Sequence, residues 1–278
     1  MDVTVPFAAP TVLTRWHQAS DRRFPLVGWG PQAADTAVTA HSICAGGHHT
    51  DIERCTRLAG HRDPGRAADD HTGGMGIYQD QILPRVTDWV MSRREYVPIR
   101  GRVSAGLHGE VVEVGFGSGL NVPHYPAAVT RVRAVDPATA GRKLAARRVA
   151  ASPVPIEYIG LDGQALPVES ASVDCVLTTW TLCTIPDVGQ ALGEIHRVLR
   201  PGGSFHFVEH GRSPEPKVAR WQDRLHRPWH AFAAGCHANR PTVELLRKSP
   251  LEVEAVEGER WSWMPALVHP LAIGTAQA

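Results

Sequence analysis

The chain has 278 residues, enough for one large domain or for a domain with a tail. Its 29 Lys+Arg nearly balance its 28 Asp+Glu, so no basic field points to nucleic acid and no acidic field to a basic partner. Five scattered cysteines (Cys44, Cys55, Cys175, Cys183, Cys236) read as reduced thiols in a cytoplasmic protein, and no apolar run of about 18 residues or signal-peptide core points to membrane spanning or secretion.

Residues 1–74 differ from the rest of the chain. Pro, Gly, Ala, Arg and His mix there without a period of 2 or 3.6, and six of the fifteen histidines precede Met75. Such a stretch has little to offset its ordering entropy and is expected to be a disordered tail. Met75 is also a candidate true start, with the preceding stretch a mis-assigned extension. A metal site from His41, Cys44, His48, His49, Cys55 and His61 is a sharper reading, but only His41-x2-Cys44 comes near a zinc-ligand spacing, and no metal is expected.

Patterned sequence begins at Gly76. Ile77, Leu83, Val86, Trp89, Val90 and Tyr96 recur as on an amphipathic helix, with Pro84 as a kink, and Tyr78 is a candidate contact on the substrate side or a packing residue at a domain edge. Val111–Val114 then reads as a buried strand running into Gly115-Phe-Gly117-Ser-Gly119. A strand entering glycine-rich backbone lets a nucleotide-like ligand lie on main-chain N–H groups at the strand's carboxyl end. Pro123 predicts a short or awkward next helix. Arg131–Asp136 reads as a second strand ending on a carboxylate, 21 residues after Gly115 (136 − 115). There an acid meets ribose hydroxyls, or else caps a helix over Ala138–Val149 with Pro137 at its first position.

Ile156–Ile159 is a third strand. Asp162 beside Gly163 offers an acceptor to an adenine amino group, or forms a plain Asp-Gly turn. Ser172–Leu177 is a fourth strand, with Thr178–Thr184 at its carboxyl end, where open α/β sheets keep ligands. Asp187 suits an N-cap for a helix burying Val188, Ala191, Leu192, Ile195, Val198 and Leu199. Pro201-Gly-Gly203 should stop that helix, with Ser204–Glu209 as a fifth strand ending beside His210. Residues 212–240 read as a helical insertion with an aromatic stripe, Trp221, Leu225, Trp229 and Phe232, more suited to core than to a substrate cage. A helix over Thr242–Lys248, a strand over Leu251–Val256 and a last strand over Leu267–Ile273 follow. Pro270 puts that last strand at an edge or breaks it, and the short connection makes the final two an antiparallel pair. Strand and helix alternate, which predicts a Rossmann-like α/β fold with helices on both faces of a mostly parallel sheet.

Taken in order, Glu113-x-Gly-x-Gly-x-Gly, Asp136, Asp162 with Ala165-Leu-Pro167, Ser172-Val-Asp174 and Val198-Leu-Arg-Pro-Gly-Gly203 resemble the class I S-adenosylmethionine-dependent methyltransferases, especially the subgroup often labelled type 11. Leu182-Cys183, Phe207-Val-Glu209-His210, Trp229 and Gly235-Cys236-His237 resemble more narrowly the methyltransferase-like thiol S-methyltransferases and their bacterial relatives. The resemblance covers roughly residues 76–278. It implies a seven-stranded sheet with the last strand antiparallel, and S-adenosyl-L-methionine bound at the ends of strands one to four. Gly115 and Gly117, with Gly119, would pass close to the methionine moiety, and Glu113 would organise the loop. Asp136 would hold ribose, Asp162 and Gly163 adenine, and Thr179 and Trp180 would line the transfer region, with Trp229 on the substrate side. His210 is the candidate base, or a structural histidine; Cys183 and Cys236 suit buried small hydrophobes. The animal members' hydrophobic anchor has no counterpart here. The expected reaction is methyl transfer to a small molecule, with a thiol as one acceptor class. Alternatives are a quinone- or lipid-type C-methyltransferase and a non-catalytic cofactor-binding sensor or scaffold. A dehydrogenase is weakened by the glycine spacing.

Overall fold

The computed structural model describes residues 82–259, 268 and 270–278. Tyr78, the candidate metal ligands before Met75 and the tail itself lie outside the described residues. Seven strands form one sheet: β1 (Gly109–Val114), β2 (Val129–Val135), β3 (Ile156–Gly160), β4 (Val173–Thr179), β5 (Leu199–His210), β6 (Glu252–Glu259) and β7 (Leu271–Gln277). Their order is β3-β2-β1-β4-β5-β7-β6. The first five run parallel, and β7 is antiparallel to both β5 and β6. The expected Rossmann-like sheet with an antiparallel last strand is therefore present.

Alternation along the strands builds two cores. Val112, Val114, Val176, Phe205 and Phe207 face one side, with Leu192 and Ile195 of one helix and Leu246 of another. Val111, Val132, Cys175, Leu177 and Val208 face the other, with Ile99 and Val103. β1 has three valines at 2% exposure or less and no polar alternation, as a strand covered on both faces requires. Each such side chain contributes about 1.5–3 kcal/mol on burial.

The α-helices among the described residues are α1 (Leu83–Met91), α2 (Val97–Ser104), α3 (Thr139–Ala150), α4 (Val188–Val198), α5 (Pro216–Phe232) and α6 (Thr242–Lys248). Pro84 sits in the first turn of α1, where a missing N–H costs nothing, and does not kink it. Asp187 caps α4 as expected, its Oδ1 accepting from Gln190 N at 2.9 Å. The stretch with Pro123 makes only a 3-10 turn, Val122–His124.

Four expectations are corrected. Asp136 is not an N-cap: α3 starts at Thr139 with Ala138 at the cap. Pro201–Gly203 does not separate α4 from β5. The strand starts at Leu199, and the turn bulges out of it, since Val173 pairs with Leu199 and Cys175 already with Ser204. Gly202 takes φ +77 there, which glycine tolerates without strain. The last strand begins after Pro270 and lies between two partners, so proline precedes a central strand, where its missing N–H removes no ladder bond. Finally, α5 does not bury its aromatic stripe among the described residues. Trp221, Leu225 and Phe232 are exposed, and the helix buries Ala219 and Gln222 instead.

Candidate active site

The strand order reverses between β1 and β4, and doubly wound sheets bind ligands beyond the carboxyl ends of the strands at such a point. Gly115, Gly117 and Gly119 all adopt positive φ, at +81, +54 and +72. A Cβ on Gly115 would lie 2.0 Å from Thr181 Oγ1, so the loop after β1 touches the loop after β4. A Cβ on Gly141 would lie 2.8 Å from Gly117 O, so α3 also closes on the loop. Gly117 itself faces open space, with only Gly115 O at 4.0 Å. A backbone turn tight on its inner side and open at Gly117 is a cradle suited to a ligand that lies against main chain.

Asp136 ties that turn down. Its Oδ2 accepts from Gly117 N and its Oδ1 from Ala138 N, both at 2.7 Å. A carboxylate accepts about four hydrogen bonds, so two directions remain for hydroxyl groups. Burial raises its pKa against those two bonds. Asp162 is exposed; its Oδ1 accepts from Gln164 N at 2.8 Å, an Asp turn that leaves the second oxygen to solvent. Gly163 is packed so tightly that a Cβ would meet Val114 at 2.7 Å, bringing its backbone over the end of β1.

Glu113 does not face the cradle. It is 1% exposed and accepts from Asn121 Nδ2 at 2.9 Å and from the Tyr125 hydroxyl. Arg100 donates to Asn121 Oδ1 at 2.7 Å, and Asn121 also donates to Thr179 Oγ1 at 3.0 Å. Burial pushes Glu113 up to about 7, against those bonds and the Arg100 charge; burial pulls Arg100 down to about 10. Arg100 also stacks over Trp180, 5.0 Å from its ring centre, with Tyr96 edge-on at 5.3 Å. Trp180 takes φ +53, and its backbone N–H donates to Val208 O at 2.8 Å. One buried polar network thus links the glycine loop to Thr179 and Trp180. Arg100, Asn121 and Tyr125 were missed in the sequence because only the folded chain shows that they meet Glu113.

Beyond Trp180, Thr181 N and Leu182 N donate to Glu209 Oε1 at 3.0 and 3.1 Å. Burial raises Glu209 to about 7. His210 is 6% exposed, with Nε2 3.1 Å from Cys236 Sγ, so the nitrogen a base would use faces a thiol. Trp229 Nε1 donates to the same sulfur at 3.1 Å. Hydrogen bonds from the Cys183 thiol, His210 and Trp229 hold the Cys236 thiol far below its usual range. The same contact with Cys236, together with burial, pushes Cys183 up. Cys183 and Cys236 are buried as expected, but they form a polar pair and not inert filling. The structure gathers Gly115, Gly117, Gly119, Asp136, Thr179 and Trp180 at one end of the sheet. His210 and Trp229 meet at the next strand end.

Residues 112–207 match the model of a family described as a methyltransferase domain. The thiol S-methyltransferase TMT1A of Homo sapiens is 30% identical over 207 residues, spanning 72% of this chain and 81% of that protein. The thiol S-methyltransferase TMT1B of Rattus norvegicus is 29% identical over 173 residues, spanning 59% of this chain and 70% of that protein. An S-adenosylmethionine-dependent methyltransferase from Thermotoga maritima superposes with a TM-score of 0.54 at 20% identity, over 72% of this chain and 98% of its own, which shows the shared fold. With a glycine cradle, an acid at the end of β2 and this sheet order, the chain belongs to the class I S-adenosylmethionine-dependent methyltransferases, alongside the thiol S-methyltransferases, and is an enzyme of methyl transfer from that donor.

Proposed function

We propose that the acceptor is a small-molecule thiol. One observation carries the reading. Leu182-Cys183, Glu209-His210 and Gly235-Cys236, the segments that resemble thiol S-methyltransferases, converge beside the loop that touches Gly115. The relatives named for thiol acceptors support it.

When bound, S-adenosylmethionine supplies a methyl group on a sulfonium. The chain's own residues bind, orient and exclude water. Gly115 and Gly117 offer backbone to the methionine side, with Gly119 completing the turn. Glu113 acts behind them, holding Asn121 and Tyr125. Asp136 has two free lone-pair directions for ribose hydroxyls, and Asp162 with Gly163 stands where adenine would lie. Thr179 and Trp180 line the transfer region, and Trp229 backs the acceptor side. A thiol ionises near ~8.5, so it needs only modest help, and His210 is the imidazole placed to handle its proton. The quinone- or lipid-type alternative needs an apolar pocket on α5, but Trp221 and Leu225 are exposed among the described residues.

Two further readings belong with this one. Residues 75–278 form the methyltransferase domain, with 212–240 as its substrate-side insertion and 1–74 as a tail. The cytoplasm is the compartment that the free thiols Cys175, Cys183 and Cys236 support; separately, no described helix is long and apolar enough to cross a membrane. Labelled S-adenosylmethionine incubated with a panel of thiols, phenols, amines and quinones tests the acceptor. Label is expected in thiols; label confined to phenols or quinones would overturn the reading.

A further inference from the structure

Direct displacement at a methyl group needs no enzyme nucleophile, yet two thiols and an imidazole lie in contact beside the transfer region. Cys183 follows β4, His210 ends β5 and Cys236 lies in the turn after α5. Cys183 Sγ, His210 Nε2 and Cys236 Sγ all lie within 4.8 Å of one another. The residues are 2%, 6% and 5% exposed. Their backbones are fixed independently of the side chains. His237 N donates to Cys183 O at 2.9 Å and Cys236 N to Ala233 O at 2.9 Å. Arg240 donates to Leu182 O and, at 2.6 Å, to Ile185 O.

We propose that Cys183, His210 and Cys236 form a binding site for zinc. Two sulfurs and one imidazole nitrogen are the soft ligand set that selects this ion. Bonds of about 2.3 Å to sulfur and about 2.0 Å to nitrogen around a tetrahedral centre put donor atoms roughly 3.4–3.8 Å apart. The present spacings, 3.1 Å for Cys236 to His210 and under 4.8 Å for the set, reach that with small side-chain shifts. Binding releases the two thiol protons to solvent, the resulting thiolates neutralise the ion, and Arg240 and Glu209 lie within electrostatic reach of Cys183. An indole N–H can only donate, so Trp229 supplies the outer hydrogen bond to Cys236 Sγ that orients a metal thiolate. His210 Nδ1 is buried and has no partner among the described residues, so Nε2 alone positions the ring, against sulfur or against metal.

Three protein ligands are what zinc keeps when its fourth position goes to water or substrate. Resting on the thiol reading above, that substrate is the acceptor. Its sulfur coordinates as the S–H proton leaves to solvent. The thiolate then forms the new S–CH3 bond as the donor's S–CH3 bond breaks. That electron pair stays on the donor sulfur, which departs as a neutral thioether. Zinc replaces the base role proposed for His210: the imidazole becomes a ligand, and coordination ionises the acceptor.

The test is a cobalt(II) titration of chelator-stripped, full-length protein. One equivalent should produce sulfur-to-cobalt charge-transfer absorption with the visible bands of a tetrahedral site, and zinc should displace it. Cys183→Ser/Cys236→Ser should weaken cobalt binding by more than about 100-fold, beyond the effect of losing an outer partner. Cys44→Ser/Cys55→Ser should leave it intact, which separates this cluster from the N-terminal thiols. A retained thermal shift with S-adenosylhomocysteine reports folding of each variant. Should the double variant lose that shift, peptide mapping of the unmutated protein decides: zinc should shield Cys183 and Cys236 from alkylation. No charge-transfer band, binding that survives in a folded double variant, or unshielded cysteines each overturn the proposal. These readouts involve no acceptor, so a failed thiol panel with an intact cobalt spectrum sinks the thiol reading alone.

Discussion

Replacing Asp136 by alanine removes the acceptor of two backbone hydrogen bonds at once. Gly117 N and Ala138 N, each 2.7 Å from a carboxylate oxygen, lose their partner. Leaving a buried donor unmatched costs about 1–3 kcal/mol. Asp136 is 7% exposed, so water relieves only part of this, and the pair should cost about 2–4 kcal/mol. For a domain of this size that is roughly 5–15 °C in melting temperature. The loss falls on the turn that forms the cofactor cradle, so the stabilisation by S-adenosylmethionine or S-adenosylhomocysteine should vanish too. Asp136→Asn should restore little, since an amide keeps one acceptor and turns an NH2 toward a backbone N–H. Asp162→Ala, at an exposed turn, should move apo stability by less than about 0.5 kcal/mol while weakening the cofactor. Differential scanning fluorimetry with and without ligand, backed by calorimetry, gives both quantities. An Asp136→Ala protein with unchanged apo melting would refute the hydrogen-bond account. One that still shifts fully with S-adenosylhomocysteine would refute its place in the cofactor site.

The same assay on the unmutated protein should show a shift with S-adenosylhomocysteine and none with NAD; the reverse would sink the link from fold to donor. Gly115→Ala should abolish the shift, because the added Cβ meets Thr181 at 2.0 Å and the residue sits at φ +81, where an L-residue costs about 1–2 kcal/mol by itself; retained cofactor binding would show that the loop relaxes freely. Glu209, raised by burial to about 7 from an ordinary 4.5, contributes stability that is complete below about pH 4.5 and lost as pH rises through 7. Glu209→Gln keeps the oxygen facing Thr181 N and Leu182 N, so urea unfolding should show the variant gaining on wild type between pH 5 and 8 by on the order of 3 kcal/mol; a pH-independent difference would contradict the shift. A chain of residues 75–278 should fold and bind S-adenosylhomocysteine as the whole protein does; failure would place residues 1–74 in the domain.

Features whose cause is local were legible in the linear chain. Valines 111, 112 and 114 demand burial on both faces, and alternating glycines come directly after them, so a strand and a ligand turn are written in one stretch. The acid 21 residues on (136 − 115), the N-cap at Asp187 and the apolar face of Val188–Val198 are also local, and so is the alternation that dictates a parallel sheet. Tertiary structure decided what depends on chain segments meeting. Glu113 is expected to organise the glycine loop, but only the fold shows which groups it faces, Asn121 and Tyr125, with the Arg100 charge nearby. Pro270 argued for an edge strand, yet β7 starts one residue later and lies in the middle of the sheet. The stripe on 216–232 has helical spacing, but spacing cannot say whether the fold places anything against that face. Cys183, His210 and Cys236 sit in three separate stretches, with nothing in the linear chain to group them. They become one buried cluster because β4 and β5 are parallel neighbours ending at the same level, and because the turn after α5 folds back onto them. Periodicity and caps encode the elements; only strand order and packing bring distant side chains within bonding distance.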